Sequence, residues 1–306
     1  MPARIEIQQE ILVLRATAQD LVRRRFLKQL HLHTKRDTII YASDFLGTKS
    51  SKLGPGSVSV VTQDIQGFMS ALHGLKGDSL DLILHSPGGS LEAAEQIVQY
   101  LRSKYGHIRA IVPQNAMSAA TMIACACDEI IMGKQSAIGP TDPQVTFPTP
   151  NGLFTVSAQA LLDEFEQAKA EVVANPSVSP IWVSKVKNYP PGILKSCQQT
   201  IELAKEKVEG WLTTYMFKGQ SDGASKAARI AAWLGEPKNH KTHGRPIGLA
   251  TAEAEGLNVK AMEQDPLFQD LVLSVFHATA VTFEASPCVK FVENHNGRGW
   301  FINLPQ

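Results

Sequence analysis

The chain has 306 residues, of which 43% are hydrophobic and 19% charged, a composition typical of a globular protein with a sizeable core. The 30 Lys and Arg residues nearly balance 29 Asp and Glu residues, which argues against a nucleic-acid-binding protein and against an acidic tail. The four cysteines form no CxxC pair, so they indicate reduced thiols of a cytoplasmic protein and no metal site. No signal-peptide pattern opens the chain and no apolar run approaches ~20 residues, so we predict no transmembrane segment.

The predicted elements begin with one long amphipathic helix over residues 4–32, whose basic cluster Arg23-Arg24-Arg25 is interpreted as solvent-exposed. A short strand at "DTIIYASDF" and a Gly/Ser/Lys-rich loop follow. Strands then alternate with helices: strands at 58–61, 80–85, 107–112 and 129–132, helices at 63–75, 90–104 and 117–127. This alternation predicts a parallel sheet covered on both faces, with functional groups at the carboxyl ends of its strands.

The second half differs in pattern. A Pro-rich connection, "GPTDPQVTFPTPNG", leads into residues 157–234, which we predict to be mainly helical. A turn, "GEPKNHKTHGRPIG", precedes a short helix at "LATAEAEGL", and the tail from 280 is expected to be rich in strands.

Two glycines stand where a buried strand gives way to a helix, in "SLDLILHSPGGSLEAAEQIV". Turn chemistry explains them in part, since Pro fixes φ and Gly tolerates positive φ. The alternative is that bare backbone N–H groups approach a ligand here. His85, just before the turn, is expected to pack beneath it.

Ser118 begins a helix of small and apolar residues that follows the strand 107–112. A serine there often caps the helix and does nothing else. In a parallel sheet, however, Ser118 and the glycines share one edge. The N–H groups of Gly89 and Ala119 are then expected to converge beside the Ser118 hydroxyl, as in a nucleophile with an oxyanion hole.

The ordered set "SPGGS", Ser118 and "DEIIMGKQSAIGPTDPQ" resembles the serine peptidases of the Clp/crotonase superfamily, which include the Clp proteolytic subunit and signal peptide peptidase A. "GPTDPQ" and the later "HGRPI" resemble the branch called serine dehydrogenase proteinase, a ClpP-class soluble serine peptidase. The resemblance covers residues 57–260. It implies Ser118 as nucleophile and Gly89 and Ala119 as the oxyanion hole.

The general base is left open between two residues. The Clp subunit has a His about two dozen residues after its nucleophile, whereas this chain has "GPTDPQ" there. His243 is one candidate, with Asp142 as the residue that orients it, as in a Ser-His-Asp triad with two positions exchanged. Lys169 is the other, since signal peptide peptidases use a lysine from the later helical region. Lys185 and Lys187 are weaker candidates.

The resemblance implies an α/β fold: a ClpP/crotonase-like parallel β-sheet spiral flanked by helices, with a helical N-terminal extension and a largely helical C-terminal half. We divide the chain into an N-terminal amphipathic helix (1–35), a catalytic domain (36–262) and a C-terminal tail with short strands (263–306). The N-terminal helix is a candidate contact in a homo-oligomer, or it packs on its own domain.

The leading functional interpretation is a soluble, ATP-independent, cytoplasmic serine peptidase that cleaves peptides or unfolded protein segments, with no cofactor and no metal. An inactive ClpP-like oligomeric scaffold and a crotonase-like acyl-CoA enzyme remain alternatives. His31 and His33 in "HLHTK", and "ENHNGRGW" near the end, are interpreted as surface or interface features because no ligand partners lie at suitable spacing.

Overall fold

The computed structural model describes residues 6, 7, 9, 18–47, 49, 55–149 and 152–304. A seven-stranded sheet lies at its centre. With strands numbered along the chain, their side-by-side order is β10 (Val259–Ala261), β5 (Glu129–Met132), β3 (His107–Val112), β2 (Ser79–His85), β1 (Asp37–Ser43), β11 (Cys288–Asn294) and β12 (Gly299–Asn303). The first five strands run parallel, and β11 and β12 add antiparallel neighbours. The predicted α/β class with a parallel sheet is confirmed.

Two smaller sheets complete the strands. One joins β4 (Asn115–Ala116), β6 (Ala137–Ile138) and β9 (Ile247–Gly248). The other is the antiparallel pair β7 (Gln144–Thr149) and β8 (Gly152–Ser157).

The α-helices of the described chain alternate with these strands and then dominate residues 158–254, as predicted. They are α1 (Ala18–Thr34), α2 (Asp64–Leu72), α3 (Leu91–Lys104), α4 (Ala119–Cys125), α5 (Ala158–Ala174), α6 (Ser179–Val186), α7 (Ile193–Trp211), α8 (Gly223–Gly235), α9 (Pro237–His240), α10 (Leu249–Ala254) and α11 (Pro266–Ala285). A π-helical turn, Leu212–Met216, continues α7.

Helices cover the sheet on both faces because successive strand residues point to opposite sides. On β2, Leu82 and Leu84 join the core beneath α2, α3 and α4, whereas Ile83 joins the core beneath α1 and α11. All three side chains are fully buried. A strand buried on both faces therefore reads as a continuous apolar run, which is the pattern that predicted it.

Four expectations need correction. The strand expected at 58–61 is a single bridge, Val60 to Gly89. The tail is helical up to Ala285, and strands begin only at Cys288. Arg23 is fully buried, because its guanidinium pairs with Glu293 at 2.7 Å. Of the helix expected over 4–32, residues 18–32 are confirmed, the helix continues to Thr34, and most of residues 4–17 lie outside the described residues.

The apolar side of α1 packs against α11 within the same chain. Of the two alternatives for this helix, packing on its own domain is therefore realised for the described part. Among the residues placed here, α11 is the one helix whose length and apolar composition would suffice to cross a membrane, and most of it is buried against its neighbours. The prediction that no apolar run approaches ~20 residues is therefore wrong for α11. The three-part domain division stays a prediction.

A buried ion pair ties β11 to the first residue of α2. The Lys290 ammonium lies 2.7 Å from the Asp64 carboxylate, and both side chains are fully buried. Lys290 also donates to the Ser59 carbonyl at 2.8 Å. Burial lowers the pKa of Lys290, and Asp64 opposes that change. The pair therefore stays charged only because its two members are together.

Lys290→Met is expected to lower the free energy of unfolding by about 3–5 kcal/mol, since it leaves the Asp64 charge buried and unpaired. Urea unfolding followed by circular dichroism measures this. The matched control is Lys226→Met, which removes an ammonium 3.7 Å from an exposed carboxylate, Asp222. This control substitution should change the free energy of unfolding by no more than about 0.5 kcal/mol. Equal losses in the two variants would contradict the importance of the buried pair.

Candidate active site

The glycine turn between β2 and α3 lies directly against the segment that carries Ser118. Gly88 has φ +91° and Gly89 has φ +154°, in the range that favours glycine. A Cβ on Gly88 would lie 2.5 Å from the Met117 carbonyl oxygen and 2.6 Å from the Ser118 Cβ. Only a residue without a side chain permits this approach. The glycines therefore permit close contact between two backbone segments in addition to the turn, whereas the approach of their N–H groups to a ligand stays a prediction.

Backbone hydrogen bonds hold the two segments in register. The Ser86 N–H donates to the Asn115 carbonyl at 3.0 Å, and the Met117 N–H donates to the Ser86 carbonyl at 2.9 Å. On the other side, the Ser90 N–H donates to the Val60 carbonyl at 2.9 Å. The turn is thus fixed from both flanks at the carboxyl edge of the sheet.

Ser118 has a backbone conformation that L-residues rarely adopt. Its φ is +50° and its ψ is −119°, and its side chain makes no capping hydrogen bond to α4. Capping alone therefore does not account for this serine. Strain of this kind costs of order 1–3 kcal/mol and collects at functional sites. A strained serine between a strand and a helix is also the geometry of nucleophile elbows.

Two backbone donors beside Ser118 are unused. Within the described residues, neither the Gly89 N–H nor the Ala119 N–H donates a hydrogen bond. The Ala119 nitrogen is 2.7 Å from the position a Gly88 Cβ would occupy, which places it against the glycine turn. The N–H of Ala119 also opens α4, where the helix dipole is positive. Such donors suit a negatively charged oxygen.

The small β4–β6–β9 sheet brings distant segments to the same place. Ser118 follows β4 by two residues, Asp142 follows β6 by four, and His243 precedes β9 by four. The His243 Nδ1 and the Asp142 Oδ1 are 2.8 Å apart, although 101 residues separate them in sequence. Asp142 is buried, whereas 31% of the His243 side chain is exposed.

Gln144 was missed by sequence reasoning and completes this arrangement. Its side-chain amide donates to the second oxygen of Asp142, Oδ2, at 2.8 Å. One carboxylate oxygen thus faces His243 and the other is held by Gln144. The segment "GPTDPQ" offered this signal, since an acceptor and a donor two residues apart at a Pro turn commonly bond locally.

A cavity of about 630 Å³ opens beside these groups. Its wall includes His243, Pro87 next to Gly88, and Asn115 and Met117 on either side of Ala116 and just before Ser118. Of the predicted site residues, His243 itself lines this cavity, whereas Gly89 and Ser118 are represented in its wall by their near neighbours Pro87 and Met117.

Lys169, the other candidate base, contacts a glutamate on its own helix and not the cavity beside His243. It is on α5 with 57% of its side chain exposed, and its ammonium binds the Glu166 carboxylate at 2.7 Å. Lys185 pairs with Glu164, and Lys187 is exposed. None of the three lysines lines the cavity beside His243.

Of the histidines expected at the surface, His33 is exposed, whereas His295 is not. His295 is buried, and its ring stacks on that of His31 with centroids 3.7 Å apart and an interplanar angle of 3°. Asp37 is near both. Parallel stacked rings direct their lone pairs along separate planes, so this arrangement does not suit one shared metal ion. Burial lowers the pKa of His295 to about 4.

A chain of buried hydrogen bonds supports the glycine turn from below. The Tyr41 hydroxyl donates to the Asp64 Oδ2 at 2.6 Å, and the nearby Ser86 side chain acts to lower the pKa of Tyr41. The Gly88 N–H donates to the Ser86 Oγ at 3.2 Å. Burial raises the pKa of Tyr41 well above its ordinary value, and Asp64 adds to the rise. Tyr41 therefore stays a neutral donor.

Comparison with known proteins identifies the family. The model of the family described as ClpP-like SDH-type serine proteinase matches residues 58–292. The chain belongs to this family. The match includes the glycine turn, Ser118, Asp142 and His243, and the resemblance suggested by "SPGGS" and "GPTDPQ" is thereby confirmed.

Similar sequences and folds are also known. Uncharacterized protein MJ0137 of Methanocaldococcus jannaschii is 31% identical over 162 residues, or 51% of this chain and 55% of that protein. Uncharacterized protein MJ1495 of the same organism is 47% identical over 66 residues, or 22% of this chain and 23% of that protein. The matches thus span about half of one relative and a quarter of the other.

Two solved structures are similar at low sequence identity, both of the 1510-N membrane-bound stomatin-specific protease. A serine-to-alanine mutant has a TM-score of 0.38 and 15% identity, covering 66% of this chain and 74% of that one. A lysine-to-alanine mutant in complex with a substrate peptide has a TM-score of 0.33 and 16% identity, covering 72% and 93%.

Gly88→Ala is expected to distort the site, because the new Cβ would overlap the Met117 carbonyl and the Ser118 side chain. The loss in unfolding free energy should exceed the roughly 1 kcal/mol that positive φ costs an alanine. Gly192→Ala is the matched control, with φ +78° and open space around the Cβ position. Thermal unfolding of both variants separates steric overlap from φ strain. Equal losses would show that the close approach at Gly88 is unimportant.

Protein stability is expected to fall as the pH drops from about 6.5 to about 4, in part through His85. Burial lowers the pKa of His85 to about 4, so in this window the unfolded chain binds a proton that the folded chain does not. His85→Gln removes this proton uptake. The pH dependence of its unfolding free energy should be shallower than wild type by up to one proton. An unchanged slope would contradict the shifted pKa.

Proposed function

We propose that the protein is an ATP-independent serine peptidase that cleaves peptides or unfolded protein segments, with Ser118 as the nucleophile. The observation that carries the proposal is the strained Ser118 next to two unused backbone donors, the N–H groups of Gly89 and Ala119. Membership of a serine proteinase family supports a serine peptidase in general.

The mechanism follows from these positions. The Ser118 Oγ attacks the substrate carbonyl carbon while its proton passes to a general base. The carbonyl oxygen becomes an oxyanion that accepts hydrogen bonds from the Gly89 and Ala119 N–H groups. The C–N bond breaks as the protonated base returns the proton to the leaving amine. Water, deprotonated by the same base, then hydrolyses the acyl-enzyme and frees Ser118.

We assign the base to His243 and not to Lys169. Asp142 accepts a hydrogen bond from the His243 Nδ1–H, which leaves Nε2 as the lone-pair nitrogen that takes a proton. The side chain of His243 is partly exposed in the cleft wall. A lysine acts as a base only when its ammonium is desolvated, whereas Lys169 is exposed and paired with Glu166.

Asp142 has the role of orienting and stabilising the imidazole. Its buried carboxylate becomes the counter-ion when His243 takes the proton from Ser118, and low exposure strengthens that interaction. The Gln144 amide fixes the carboxylate so that Oδ1 remains directed at the ring. The order Ser118, Asp142, His243 along the chain is one of several that the same triad geometry tolerates.

A fluorophosphonate probe tests the nucleophile and the base together. Wild-type protein should be labelled at Ser118, located by peptide mass spectrometry, and Ser118→Ala should not be labelled. His243→Ala should slow labelling by about 10²–10⁴-fold, because the base no longer activates the hydroxyl. Asp142→Asn should also slow it, since it favours the wrong imidazole tautomer.

Lys169→Ala and His73→Ala serve as controls, the second being an exposed histidine remote in sequence from the cleft segments. Both should label at the wild-type rate. A large loss in Lys169→Ala with none in His243→Ala would reverse the assignment of the base. Absence of any labelling of wild type from neutral to mildly alkaline pH would reject the peptidase.

Assembly into a homo-oligomer and a cytoplasmic location belong to the same proposal. Support for assembly comes from apolar side chains exposed on the β7–β8 pair and α6, among them Leu153, Phe154 and Ile181. A surface of this kind commonly marks an interface.

A further inference from the structure

A second cavity of about 530 Å³ lies at the carboxyl ends of β1 and β2, next to the cleft described above. These strands are parallel neighbours, paired up to Ala42 and His85. The edge where parallel strands end is the common place for ligands in α/β folds. The two cavities share Leu46 and Gln114 in their walls, so a chain bound in the cleft can extend a side chain into the second cavity.

Two buried polar atoms line this cavity without a partner. Within the described residues, the Ser43 Oγ and the His85 Nδ1 make no hydrogen bond, although Ser43 is fully buried and His85 is 5% exposed. An unpaired buried polar atom costs about 1–3 kcal/mol. Such a cost is offset when a ligand supplies the missing hydrogen bonds.

The charges around the cavity favour a cation. Among the described residues of the wall, Asp44 places a carboxylate close to the unpaired Ser43 and His85, and Glu284 and Lys49 are its charged neighbours. The Lys49 ammonium donates to the Ser286 carbonyl at 2.7 Å and the Cys288 carbonyl at 3.1 Å, and it is 3.8 Å from Asp44. It thus only partly neutralises Asp44.

A cation bound in this cavity would act on the ionisation of Asp44. Burial raises the pKa of Asp44, Lys49 opposes this rise, and Glu284 adds to it. A positively charged ligand would favour the ionised carboxylate. The face of an aromatic ring attracts a cation and also packs against the apolar stem of a long side chain. Phe276 and Phe283 supply those rings, and Phe276 packs edge-on against His85 at 4.9 Å.

We infer that this cavity is a specificity subsite for a basic side chain, arginine or lysine, of the peptide substrate. The apolar stem of the side chain would lie against Phe276 and Phe283. Its charged end would donate to Asp44, His85 and Ser43. This inference rests on the proposed peptidase function, because the cleft that holds the peptide backbone is the one beside Ser118.

Calorimetric binding to the Ser118→Ala protein tests the subsite without turnover. The probes are three hexapeptides, acetyl-Ala-Ala-X-Ala-Ala-Ala-amide, in which X is arginine, its neutral isostere citrulline, or glutamate. An alanine background allows X to reach the cavity in any register. Arginine should bind about ten-fold more tightly than citrulline, and glutamate should bind most weakly.

Asp44→Asn, made in the same Ser118→Ala background, should abolish most of the preference for arginine over citrulline. Asp222→Asn, an exposed carboxylate outside the cavity wall, is the matched control and should retain it. The order of the three peptides needs no cavity variant, so it remains decisive if Asp44→Asn fails to fold. Equal affinities, no measurable binding of the arginine peptide, or a preference that survives in a folded Asp44→Asn protein overturns the subsite.

Fluorophosphonate labelling separates this inference from the peptidase proposal. Labelling at Ser118 without an arginine preference rejects the subsite alone. An arginine preference that Asp44→Asn abolishes, in a protein that is never labelled, rejects the peptidase and leaves a binding site for cationic side chains.

Discussion

The whole site depends on one close approach, that of the Gly88 backbone to Met117, Ser118 and Ala119. It is possible only without a Cβ at residue 88, and it places the glycine turn against the first turn of α4. Because both segments end parallel strands, the sheet fixes their heights relative to each other. The N–H groups of Gly89 and Ala119 are then held in fixed positions, which is what the proposed stabilisation of an oxyanion would require.

This approach is maintained by groups that never reach the cleft. Lys290 pairs with Asp64, which accepts from the Tyr41 hydroxyl, and the buried Ser86 hydroxyl accepts from the Gly88 N–H. Each member is buried, so each polar group must be paired. The antiparallel strand β11 thus contributes to the site through Lys290, although no residue of β11 lines the cleft. A C-terminal region that looked peripheral in the sequence belongs to the core of the sheet.

Features set by neighbouring residues could be predicted from the sequence, whereas contacts between residues far apart in the chain could not. The β2–turn–α3 unit and the start of α4 were predicted because their signals are local: apolar runs, a Pro-Gly-Gly turn and small residues around Ser118. The contact of His243 with Asp142 spans 101 residues, and no periodicity encodes it. Burial of Arg23 and Lys290 was likewise invisible, since a charged residue is buried only when a distant partner neutralises it.

The proposed peptidase function accounts for more of this geometry than the two alternatives do. A crotonase-like acyl-CoA enzyme needs the paired amides, but a strained Ser118 and a buried Asp142 behind an accessible His243 serve no purpose in holding an enolate. A scaffold that had lost catalysis needs none of these features. The positive φ of Ser118 reduces stability, and within the described residues the N–H of the buried Ala119 makes no hydrogen bond, so folding alone does not account for these features. Their presence together at one cleft is the arrangement that acyl transfer through a serine requires.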